Sequence, residues 1–439
     1  MCQGCAATEQ VDISPWEPWV RRPTATLVPV TYRAPKGTDD VLPPESRAWL
    51  RAEKTFIDLA EVFGYDIVLT PYFEATELFS RGVGEATEVV EKQMYTFTDK
   101  GGRSLTLRPE ATASLVRAMV EAGGVHGTEK IAAWGPMFRY EKPQRGRRRQ
   151  FYQGDIEYFG EPSPDADVEV IEFGYRYLEE MAVPDVVVAL NSIGDVEDRA
   201  AYRDLLTTWL MERQDDLSDD ARNRIASNPL RVLDSKADAD IVAEAPAPVE
   251  HLADAAAEHF TQVQRGLRRL QIPYRIEARL VRGLDYYNRT VWEYLATSYE
   301  GAQDAAGGGG RYDGLFELLG GKPTPAVGVA MGIDRIMLMA GKRADQPALD
   351  AFVVIADPNR RDAGLDLVSE LRRRGLRTDL DLAERSVSAQ FKAADRAAAA
   401  WAVVVGDEWA DGKVTARNLA TGEQETVAVE GIEAWLKGR

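Results

Sequence analysis

The stretch from Trp134 to Gly160 most constrains the fold, because two apolar segments there enclose a strongly basic loop. The apolar segments, Ile131–Tyr140 and Phe151–Phe159, are rich in the aromatic and branched residues that favour β-strands. The loop between them, Lys142–Arg149, carries five positively charged side chains. This pattern predicts two strands joined by a basic loop that closes as a mobile flap over an anionic ligand.

The second predicted strand has a polar face that burial alone would not favour. Side chains alternate between the two faces of a strand, so Gln153, Asp155 and Glu157 share one face. Burying such a row costs free energy unless each polar group finds a partner. A pocket for a charged ligand beside Arg139 would supply those partners.

Composition limits the kinds of site that the chain can carry. Its 439 residues suffice for two or three domains, and no apolar run approaches the roughly 18 residues of a membrane-spanning helix. Two cysteines exclude a disulfide framework, and none of the three histidines has a metal-ligand spacing. We therefore expect a cytoplasmic protein without a membrane segment, a structural metal or a histidine general base. The net charge of −18 argues against non-specific nucleic-acid binding, although the cluster Arg145–Arg149 is basic enough to contact RNA locally.

The sequence pattern changes near Ala34, where helical periodicity begins. Residues 1–34 lack periodicity, so we expect a loosely packed extension whose Cys2 and Cys5 form only half of a metal site. A helix with apolar residues at helical spacing follows and ends at Gly64. The run Asp66–Thr70 then predicts a short buried strand.

A hairpin is predicted where Tyr95–Asp99 and Ser104–Arg108 flank a Lys-Gly-Gly turn. Pro109 then indicates a helix start, with Glu110 and Thr112 in its first turn. An acidic residue at that position commonly stabilises the helix dipole. This structural interpretation of Glu110 stands beside a functional one.

The middle of the chain predicts a helix at Val168–Met181, a strand at Val186–Leu190 and another at Tyr274–Val281. The segment Val196–Gln271 is predicted to be a helical insertion, polar enough to stand away from the core. Four glycines at Gly307–Gly310 lack the Lys-Ser/Thr of a P-loop and the spacing of a dinucleotide fold. They form either a weak phosphate motif or a tight strand-to-helix turn.

The last third contains a buried strand and helix at Thr324–Gly341, with Arg335 early in the helix. A cation there opposes the helix dipole, so Arg335 should have an anionic partner or ligand. After a linker at Pro347, strands and helices alternate, which predicts a separate α/β domain with a hairpin-like tail and a final helix. Its predicted elements are strand Ala351–Ala356, helix Arg360–Arg374, strand Arg377–Leu382, helix Arg385–Ala398 and strand Trp401–Val405.

Two sets of polar side chains suggest the chemistry. Carboxylates and an amide that could hold an ammonium group are Glu110, Gln153 and Glu157. Arginines that could hold phosphates and their developing charge are Arg139, Arg282 and Arg335. A nucleophile elbow, H-E-x-x-H and a P-loop are all absent from the sequence, which favours electrostatic and positional catalysis.

Several spaced motifs together carry a family resemblance. They are PKGTDDVLP (35–43), TLRPEAT (106–112) with FRYEKPQRGRRRQFYQ (138–153), AMGIDR (330–335), LVRGLDYYNRTVWEY (280–294) and GGGGRYDGL (307–315). The first three resemble motifs 1, 2 and 3 of class II aminoacyl-tRNA synthetases. The last two resemble the signatures of the histidine-specific members, so the chain resembles a histidyl-tRNA synthetase of bacterial type from about Pro35 to its end.

The resemblance implies an α+β fold. Residues 35–345 would form a class II catalytic core on an antiparallel sheet, with the helical insertion at about 196–271. Residues 347–439 would form an α/β anticodon-binding domain. The first motif belongs to the dimer interface of the family, which implies a homodimer.

The resemblance also implies an activity and its substrates. The family forms histidyl-adenylate from L-histidine and ATP, which brings Mg²⁺ with it, and then transfers histidine to the terminal adenosine of tRNA(His). Neither step needs a protein histidine or a protein-bound structural metal.

The resemblance assigns roles to individual residues. Arg282 and Arg139 would be the catalytic arginines, on opposite sides of the α-phosphate. The histidine-binding set would be Glu110, Ala111, Thr112, Arg139, Gln153, Glu157, Arg282, Tyr286 and Tyr287, with Glu157 and the tyrosines at the imidazole. The ATP-binding set would be Arg139, Arg147 and Arg335. The residues that approach the extra 5′ guanosine of the tRNA would be Lys142 and Gln144.

This sequence departs from the family at two points. Bacterial members use Arg-Pro-Gln to approach the guanosine, whereas Lys142 here keeps the charge but lacks the bidentate fork. The N-terminal extension is also unlike the compact bacterial pattern.

Three alternatives compete with this interpretation. The nearest is the catalytically inactive paralogue that acts as a regulatory subunit of ATP phosphoribosyltransferase, which generally lacks the anticodon domain. A non-catalytic histidine or tRNA sensor is the second, although the arginine set argues against it. An ordinary α+β protein with arginines in structural ion pairs would leave the polar strand faces unexplained.

Overall fold

The computed structural model describes residues 32–438 except 85–86, 88, 227–228, 236, 281–285, 302–303 and 341–347. Contacts divide the chain into two compact units, Met1–Gly341 and Lys342–Arg439. The prediction for residues 1–34, with its two cysteines, therefore falls almost wholly outside the described residues. No helix of the described ranges is long and apolar enough to cross a membrane.

The first unit combines ten α-helices with eleven strands among its described residues. The helices are α1 (Glu45–Phe63), α2 (Thr76–Val83), α3 (Thr112–Glu121), α4 (Pro164–Glu180), α5 (Val196–Met211), α6 (Asp219–Ile225), α7 (Ala239–Val242), α8 (Asp254–Arg269), α9 (Leu315–Leu318) and α10 (Ile333–Met339). The strands are β1 (Asp66–Ile67), β2 (Phe73–Ala75), β3 (Tyr95–Thr98), β4 (Ser104–Leu107), β5 (Glu129–Phe138), β6 (Gln150–Phe159), β7 (Val186–Ser192), β8 (Tyr274–Ile276), β9 (Asn288–Ala296), β10 (Ala305–Arg311) and β11 (Ala326–Gly332). Short 3₁₀ or π-helical segments lie at Val89–Gln93, Gln214–Asp216, Pro229–Asp234 and Pro248–His251.

An eight-stranded sheet in the order β1-β5-β6-β11-β10-β9-β7-β8 forms the centre of this unit. Its inner strands pair antiparallel, and only the outermost pairs β1–β5 and β7–β8 are parallel. The predicted antiparallel core is therefore present. The predicted hairpin of β3 and β4 is also confirmed, within a small three-stranded sheet.

The β5–β6 hairpin is confirmed, and β6 lies deep in the sheet between β5 and β11. In this register Asp155 stands between Ala133 on β5 and Ala330 on β11. At the tip of the basic loop, Gln144 and Arg147 exchange backbone hydrogen bonds of 3.1 and 2.9 Å around a turn.

The main core lies between the sheet and helices α1 and α4. Phe56 of α1 is fully buried and packs edge-to-face against Phe173 and Tyr177 of α4, with ring centroids 5.4 and 5.5 Å apart. A Cβ at Gly154 of β6 would lie 2.6 Å from the Phe56 ring. Only glycine at this position lets α1 approach the sheet so closely.

The helix predicted to end at Gly64 is confirmed as α1, and Gly64 closes it in the left-handed conformation at φ 77°. The buried strand predicted at Asp66–Thr70 is wrong. Only β1 forms there, and both of its residues are exposed because β1 is an edge strand with one neighbour.

The helical insertion is only partly as predicted. Helices α5 and α6 share a separate apolar cluster that includes Leu206, Leu210 and Ile225. Helix α8, by contrast, packs on α4 and contributes Phe260 and Val263 to the main core. Its polar average composition conceals an apolar stripe at helical spacing, so this part does not stand away from the core.

The strand predicted at Tyr274–Val281 is shorter in the structure, ending at Ile276, and residues 281–285 lie outside the described part of the chain. The turn considered for Gly307–Gly310 is wrong, because all four glycines lie within β10. The predicted strand and helix around Arg335 are confirmed as β11 and α10.

The second unit shows the predicted alternation of strands and helices. Its elements are β12 (Leu349–Ile355), α11 (Arg361–Arg373), β13 (Thr378–Leu380), α12 (Val387–Arg396), β14 (Ala399–Val405), β15 (Lys413–Asn418), β16 (Gln424–Ala428) and α13 (Ile432–Lys437). Single 3₁₀ turns lie at Pro358–Arg360, Asp407–Asp411 and Val429–Gly431. The sheet order is β13-β12-β14-β15-β16, parallel at its first three strands and antiparallel beyond them.

Candidate active site

A cavity of about 170 Å³ is lined by residues of β6, β10 and β11 and by the basic loop. Charged side chains of two groups meet here, and all of them line the cavity except Glu157, which lies just behind the lining. Further charged residues of the lining are Glu141, Arg148, Glu293 and Asp334. We call Glu110, Asp155 and Glu157 the acidic cluster, and Arg139, Arg147 and Arg335 the arginine cluster. The members of each group act on one another electrostatically, and Arg139 interacts with both. The site can therefore hold a ligand that is positive at one end and negative at the other.

Glu110 lies just before α3, not in its first turn as predicted, because the helix begins at Thr112. Its Oε1 accepts a hydrogen bond of 3.0 Å from the backbone N–H of Ala113, so it still satisfies one free donor of the helix. Its Oε2 is buried and has no hydrogen-bond partner. Burial raises the pKa of this carboxyl, although the Ala113 N–H and Arg139 oppose the shift.

Glu157 lies at the floor of the site, 1% exposed. It accepts a hydrogen bond of 2.6 Å from the Thr112 hydroxyl and a second from the Tyr312 hydroxyl. Burial raises the pKa of Glu157 well above its ordinary value, and these two hydrogen bonds only partly offset the effect. A Cβ at Gly328, the residue opposite on β11, would overlap Glu157 Oε2. Glycine there makes room for the carboxylate.

Three tyrosines close the same end of the cavity. The Tyr286 ring packs against Tyr287 and Tyr312 at centroid distances of 4.7 and 5.4 Å. The backbone carbonyl of Tyr287 accepts a hydrogen bond of 2.7 Å from Arg199 of α5, which ties the insertion to this wall. A Cβ at Gly310 would lie 2.7 Å from the Tyr287 ring. The glycine-rich strand β10 thus provides space for aromatic side chains and does not form a phosphate loop.

Two members of the arginine cluster, Arg139 and Arg335, donate hydrogen bonds to backbone carbonyls. Arg139 donates to the Pro109 carbonyl at 2.9 Å and lies over the Phe151 ring at 5.2 Å. Arg335 donates to the carbonyls of Gly146 and Ala305 at 3.3 and 3.2 Å. Burial lowers the pKa of Arg335, and the positive charge of Arg147 lowers it further.

Within the described residues no carboxylate forms an ion pair with Arg335. Glu141 and Glu293 attract Arg335 without forming an ion pair with it, so they meet only in part the expectation of an anionic partner or ligand. A negatively charged ligand in the cavity would fill this role.

The basic loop divides its side chains between two tasks. Arg147 and Arg148 line the cavity, where Arg147 lies 3.5 Å from Glu141 and Arg148 lies 3.4 Å from Asp334. Arg149 faces elsewhere, because its guanidinium stacks on Tyr140 at 3.7 Å and donates to the Glu141 carbonyl. The loop as a whole is therefore not a uniform anion clamp.

A model of the histidyl-tRNA synthetase family matches residues 37–336, and a model of the anticodon-binding domain matches residues 350–439. The chain belongs to the histidyl-tRNA synthetase family. A histidine–tRNA ligase of Halothermothrix orenii is 43% identical over 410 residues, covering 91% of this chain and 97% of the relative. These matches confirm the predicted family.

Solved structures agree with this assignment. The apo histidyl-tRNA synthetase of S. aureus has a TM-score of 0.75 at 32% identity, covering 92% of this chain and 100% of that one. A structure titled ATP phosphoribosyltransferase regulatory subunit/histidyl-tRNA synthetase from Bacillus halodurans has a TM-score of 0.61 at 21% identity, covering 84% and 97%. The second likeness concerns the fold alone. The predicted fold class is confirmed.

Most residues singled out by the histidyl-tRNA synthetase motifs meet at one cavity. The predicted site residues that line it are Glu110, Thr112, Arg139, Arg147, Gln153, Tyr286, Tyr287 and Arg335. Ala111 is fully buried between two of them, and Glu157 lies behind Thr112 and Tyr312. Lys142 and Gln144 are exposed on the basic loop outside the cavity lining. Arg282 lies outside the described residues.

Sequence reasoning missed two residues of the site. Tyr312 was not singled out, although it belongs to the GGGGRYDGL signature and bonds Glu157. Asp155 was placed on the correct strand face but received no role, and it lines the cavity.

The acidic cluster makes stability depend on pH. Burial and then the charge of Glu110 raise the pKa of Asp155 to about 8, against the opposing effects of Arg108 and Arg139. Between the ordinary pKa of 3.8 and about 8, the folded state holds a proton that the unfolded chain has lost. The free energy of unfolding that the proton on Asp155 contributes is therefore fully present at low pH and is lost as the pH rises towards 8.

Asp155→Asn removes this effect, so the difference in melting temperature, variant minus wild type, should grow by a few degrees between pH 5 and pH 8. Differential scanning fluorimetry of the ligand-free proteins measures it. Asp165→Asn, which removes an exposed carboxylate of α4, is the matched control and should show no such growth. A difference for Asp155→Asn that stays constant with pH would contradict the ionisation described here.

Proposed function

We propose that this chain is a histidine–tRNA ligase: it activates L-histidine with ATP to histidyl-adenylate and transfers histidine to the 3′ end of tRNA(His). One observation carries the proposal. A single cavity joins an acidic cluster to an arginine cluster, in a chain of the histidyl-tRNA synthetase family. L-histidine carries an ammonium group, and ATP carries phosphates, so the two ends fit the two substrates.

The acidic cluster would bind the amino acid. Glu110 and Gln153 each present a buried oxygen without a hydrogen-bond partner, Oε2 and Oε1, and these suit the α-ammonium. The Thr112 hydroxyl donates to Glu157, so it can serve the ammonium only as an acceptor. Glu157 and the tyrosines at the same end would distinguish the imidazole through its N–H and N positions.

The arginine cluster would bind ATP and stabilise the transition state. A carboxylate oxygen of histidine attacks the α-phosphorus, the bond to the β-phosphate breaks, and diphosphate leaves. Arg139 would contact the carboxylate and α-phosphate, and Arg147 and Arg335 the outer phosphates. Arg282 would contact the α-phosphate from the opposite side. Positioned guanidinium groups stabilise the charge that develops during such a step.

The second step consumes the adenylate. A hydroxyl of the terminal adenosine attacks the carbonyl carbon of histidyl-adenylate, AMP leaves with the electron pair of the broken bond, and the hydroxyl proton passes to solvent. Lys142 and Gln144 are exposed on the basic loop, a position that supports contact with the acceptor end of the tRNA. Residues 35–345 would carry catalysis, and residues 347–439 would bind the anticodon.

Mg²⁺ would enter with ATP as part of the substrate. Among the described residues no group of three metal-binding side chains occurs. Glu141 and Glu293 line the cavity and act electrostatically on Arg335. One or two carboxylates beside phosphates are what Mg²⁺ commonly uses, so these residues fit the ion. Its chemistry would be to neutralise phosphate charge.

The protein would act as a homodimer in the cytoplasm, where translation uses its product. Exposed apolar side chains on α1 and after β1 support a partner surface: Leu50 is 64% exposed, Val62 79% and Leu69 85%.

The regulatory paralogue of ATP phosphoribosyltransferase is the weaker alternative, because the match to an anticodon-binding domain at residues 350–439 has no use in it.

The purified protein is expected to exchange labelled diphosphate into ATP when L-histidine is added, and not with any of the other standard amino acids. Adding a tRNA(His) transcript should then yield histidyl-tRNA. An exchange that needs a different amino acid, or none with histidine, would overturn the proposal. Binding of histidine without exchange would favour the regulatory alternative.

A further inference from the structure

Five buried oxygens without a hydrogen-bond partner belong to residues that line one cavity. Two of them, on Glu141 and Asp334, lie 3.5 and 3.4 Å from the guanidinium groups of Arg147 and Arg148. The other three have neither a hydrogen bond nor an ion pair within the described residues. They are Glu110 Oε2, Gln153 Oε1 and Asp155 Oδ2. The family motifs account for the first two, at the substrate ammonium. Asp155 has no role in the function proposed above.

Asp155 is 1% exposed at the middle of β6, yet it borders the cavity. Its neighbours across the strands, Ala133 and Ala330, are too small to cover the carboxyl and carry no polar side chain. Gln153 lies two residues away on the same face of the strand. The carboxyl is thus enclosed by protein on the sheet side and free on the cavity side.

Arg108 is the cation that acts most strongly on Asp155, but its hydrogen bonds go elsewhere. Its Nε donates to the Pro136 carbonyl at 3.1 Å, its Nη1 donates to the Thr70 hydroxyl at 2.9 Å, and its Cζ lies 4.6 Å from the centroid of the Tyr72 ring. Its Nη2 is buried without a hydrogen-bond partner. Asp155 therefore has a buried positive neighbour without being tied to it by a hydrogen bond.

We infer that Asp155 is a further substrate-binding residue, which accepts a hydrogen bond from the α-ammonium of the bound amino acid. The inference rests on the proposed function. An ammonium group has three N–H donors, and three buried acceptors of the cavity have neither a hydrogen bond nor an ion pair. Thr112, by contrast, already donates its hydroxyl proton to Glu157.

The charged groups around Asp155 set its state in the empty cavity. They are Glu110 before α3, Arg108 after β4, Arg139 after β5 and Glu157 on β6. Burial and Glu110 keep the carboxyl protonated near neutral pH. A bound ammonium reverses this balance, so the proton leaves Asp155 for solvent as the amino acid binds.

The test compares L-histidine with 3-(imidazol-4-yl)propionate, which is histidine without its amino group. In Asp155→Asn the KM for histidine in diphosphate exchange should rise about tenfold or more, as expected for a charge-assisted hydrogen bond. The inhibition constant of imidazolylpropionate and the KM for ATP should change less than about twofold. Glu110→Gln should show the same selective loss, and Asp165→Asn should change none of these constants.

The outcomes separate this inference from the proposed function. Equal losses for histidine and imidazolylpropionate would make Asp155 a structural residue, and no change in either constant would also overturn the inference. If the wild type lacks histidine-dependent exchange, the proposed function itself fails. Where Asp155→Asn does not fold, calorimetry of the wild type and Glu110→Gln in two buffers of different ionisation heat decides. At pH 7, after correction for the ionisation of each free ligand's imidazole, histidine should release more protons than imidazolylpropionate from the wild type. The excess should be smaller in Glu110→Gln, because Glu110 no longer raises the pKa of Asp155 there. Equal corrected release by the two ligands would overturn the inference.

Discussion

Replacing Arg335 with alanine is expected to slow histidine-dependent diphosphate exchange by about 10²- to 10³-fold, the usual loss when a positioned electrostatic donor is removed. Two backbone carbonyls, of Gly146 and Ala305, hold the guanidinium before any ligand binds. Arg147 adds a like charge nearby, so the group gains most when an anion arrives. The loss should fall on the rate of adenylate formation and on the KM for ATP, while the KM for histidine changes little.

Two measurements and two comparison variants isolate this effect. Single-turnover adenylate formation reports the chemical step, and the melting temperature shows whether the variant is folded. Arg335→Lys keeps the charge without the fork and should retain an intermediate rate. Arg176→Ala removes an arginine whose ion pairs lie on the exposed face of α4, and its exchange rate should match the wild type. Normal exchange by Arg335→Ala would exclude a role in binding phosphates.

Local sequence patterns correctly predicted the helices and strands whose burial is set by their own residues and not by their place in the sheet. The β5–β6 hairpin and α1 follow from strand-forming residues, helical spacing and the glycine after the helix. The segment Asp66–Thr70 has a similar apolar pattern, but its exposure depends on lying at an edge of the sheet. The prediction for helix α8 was wrong for the opposite reason. Its narrow apolar stripe is buried because it packs on α4, which is distant in the sequence.

The sequence identifies residues that belong to the site, but it does not show which of them contact one another. Motifs identified Glu110, Gln153 and Arg335, since these positions carry their chemistry in the sequence. They could not show that Tyr312, far along the chain, donates a hydrogen bond to Glu157, or that Glu157 is not itself part of the cavity lining. Nor could they show that β10 is rich in glycine because it lies against aromatic rings. These facts depend on strand register, which short motifs do not encode.

Glu157 contacts Thr112 and Tyr312 and does not line the cavity itself. Its replacement is expected to have the second large effect on activity. Glu157→Gln should reduce kcat/KM for histidine at least about a hundredfold, while leaving the KM for ATP within about twofold. Glutamine keeps the size of the side chain above Gly328 but cannot ionise. It therefore cannot supply the negative charge that an imidazole N–H would favour on Glu157. The amide also changes what the Thr112 and Tyr312 hydroxyls can donate to.

Tyr312→Phe decides whether Glu157 reads the imidazole itself or positions the group that does. If Tyr312 moves aside and Glu157 contacts the ring, the single Phe variant should keep most activity, and Glu157→Gln should be as harmful with it as without it. If Glu157 instead orients the Tyr312 hydroxyl towards the ring, both single variants should lose similar activity, and the double variant should be no worse than either. Steady-state exchange kinetics on the four proteins measure this coupling. Full activity of Glu157→Gln would remove Glu157 from histidine recognition, because neither arrangement permits it.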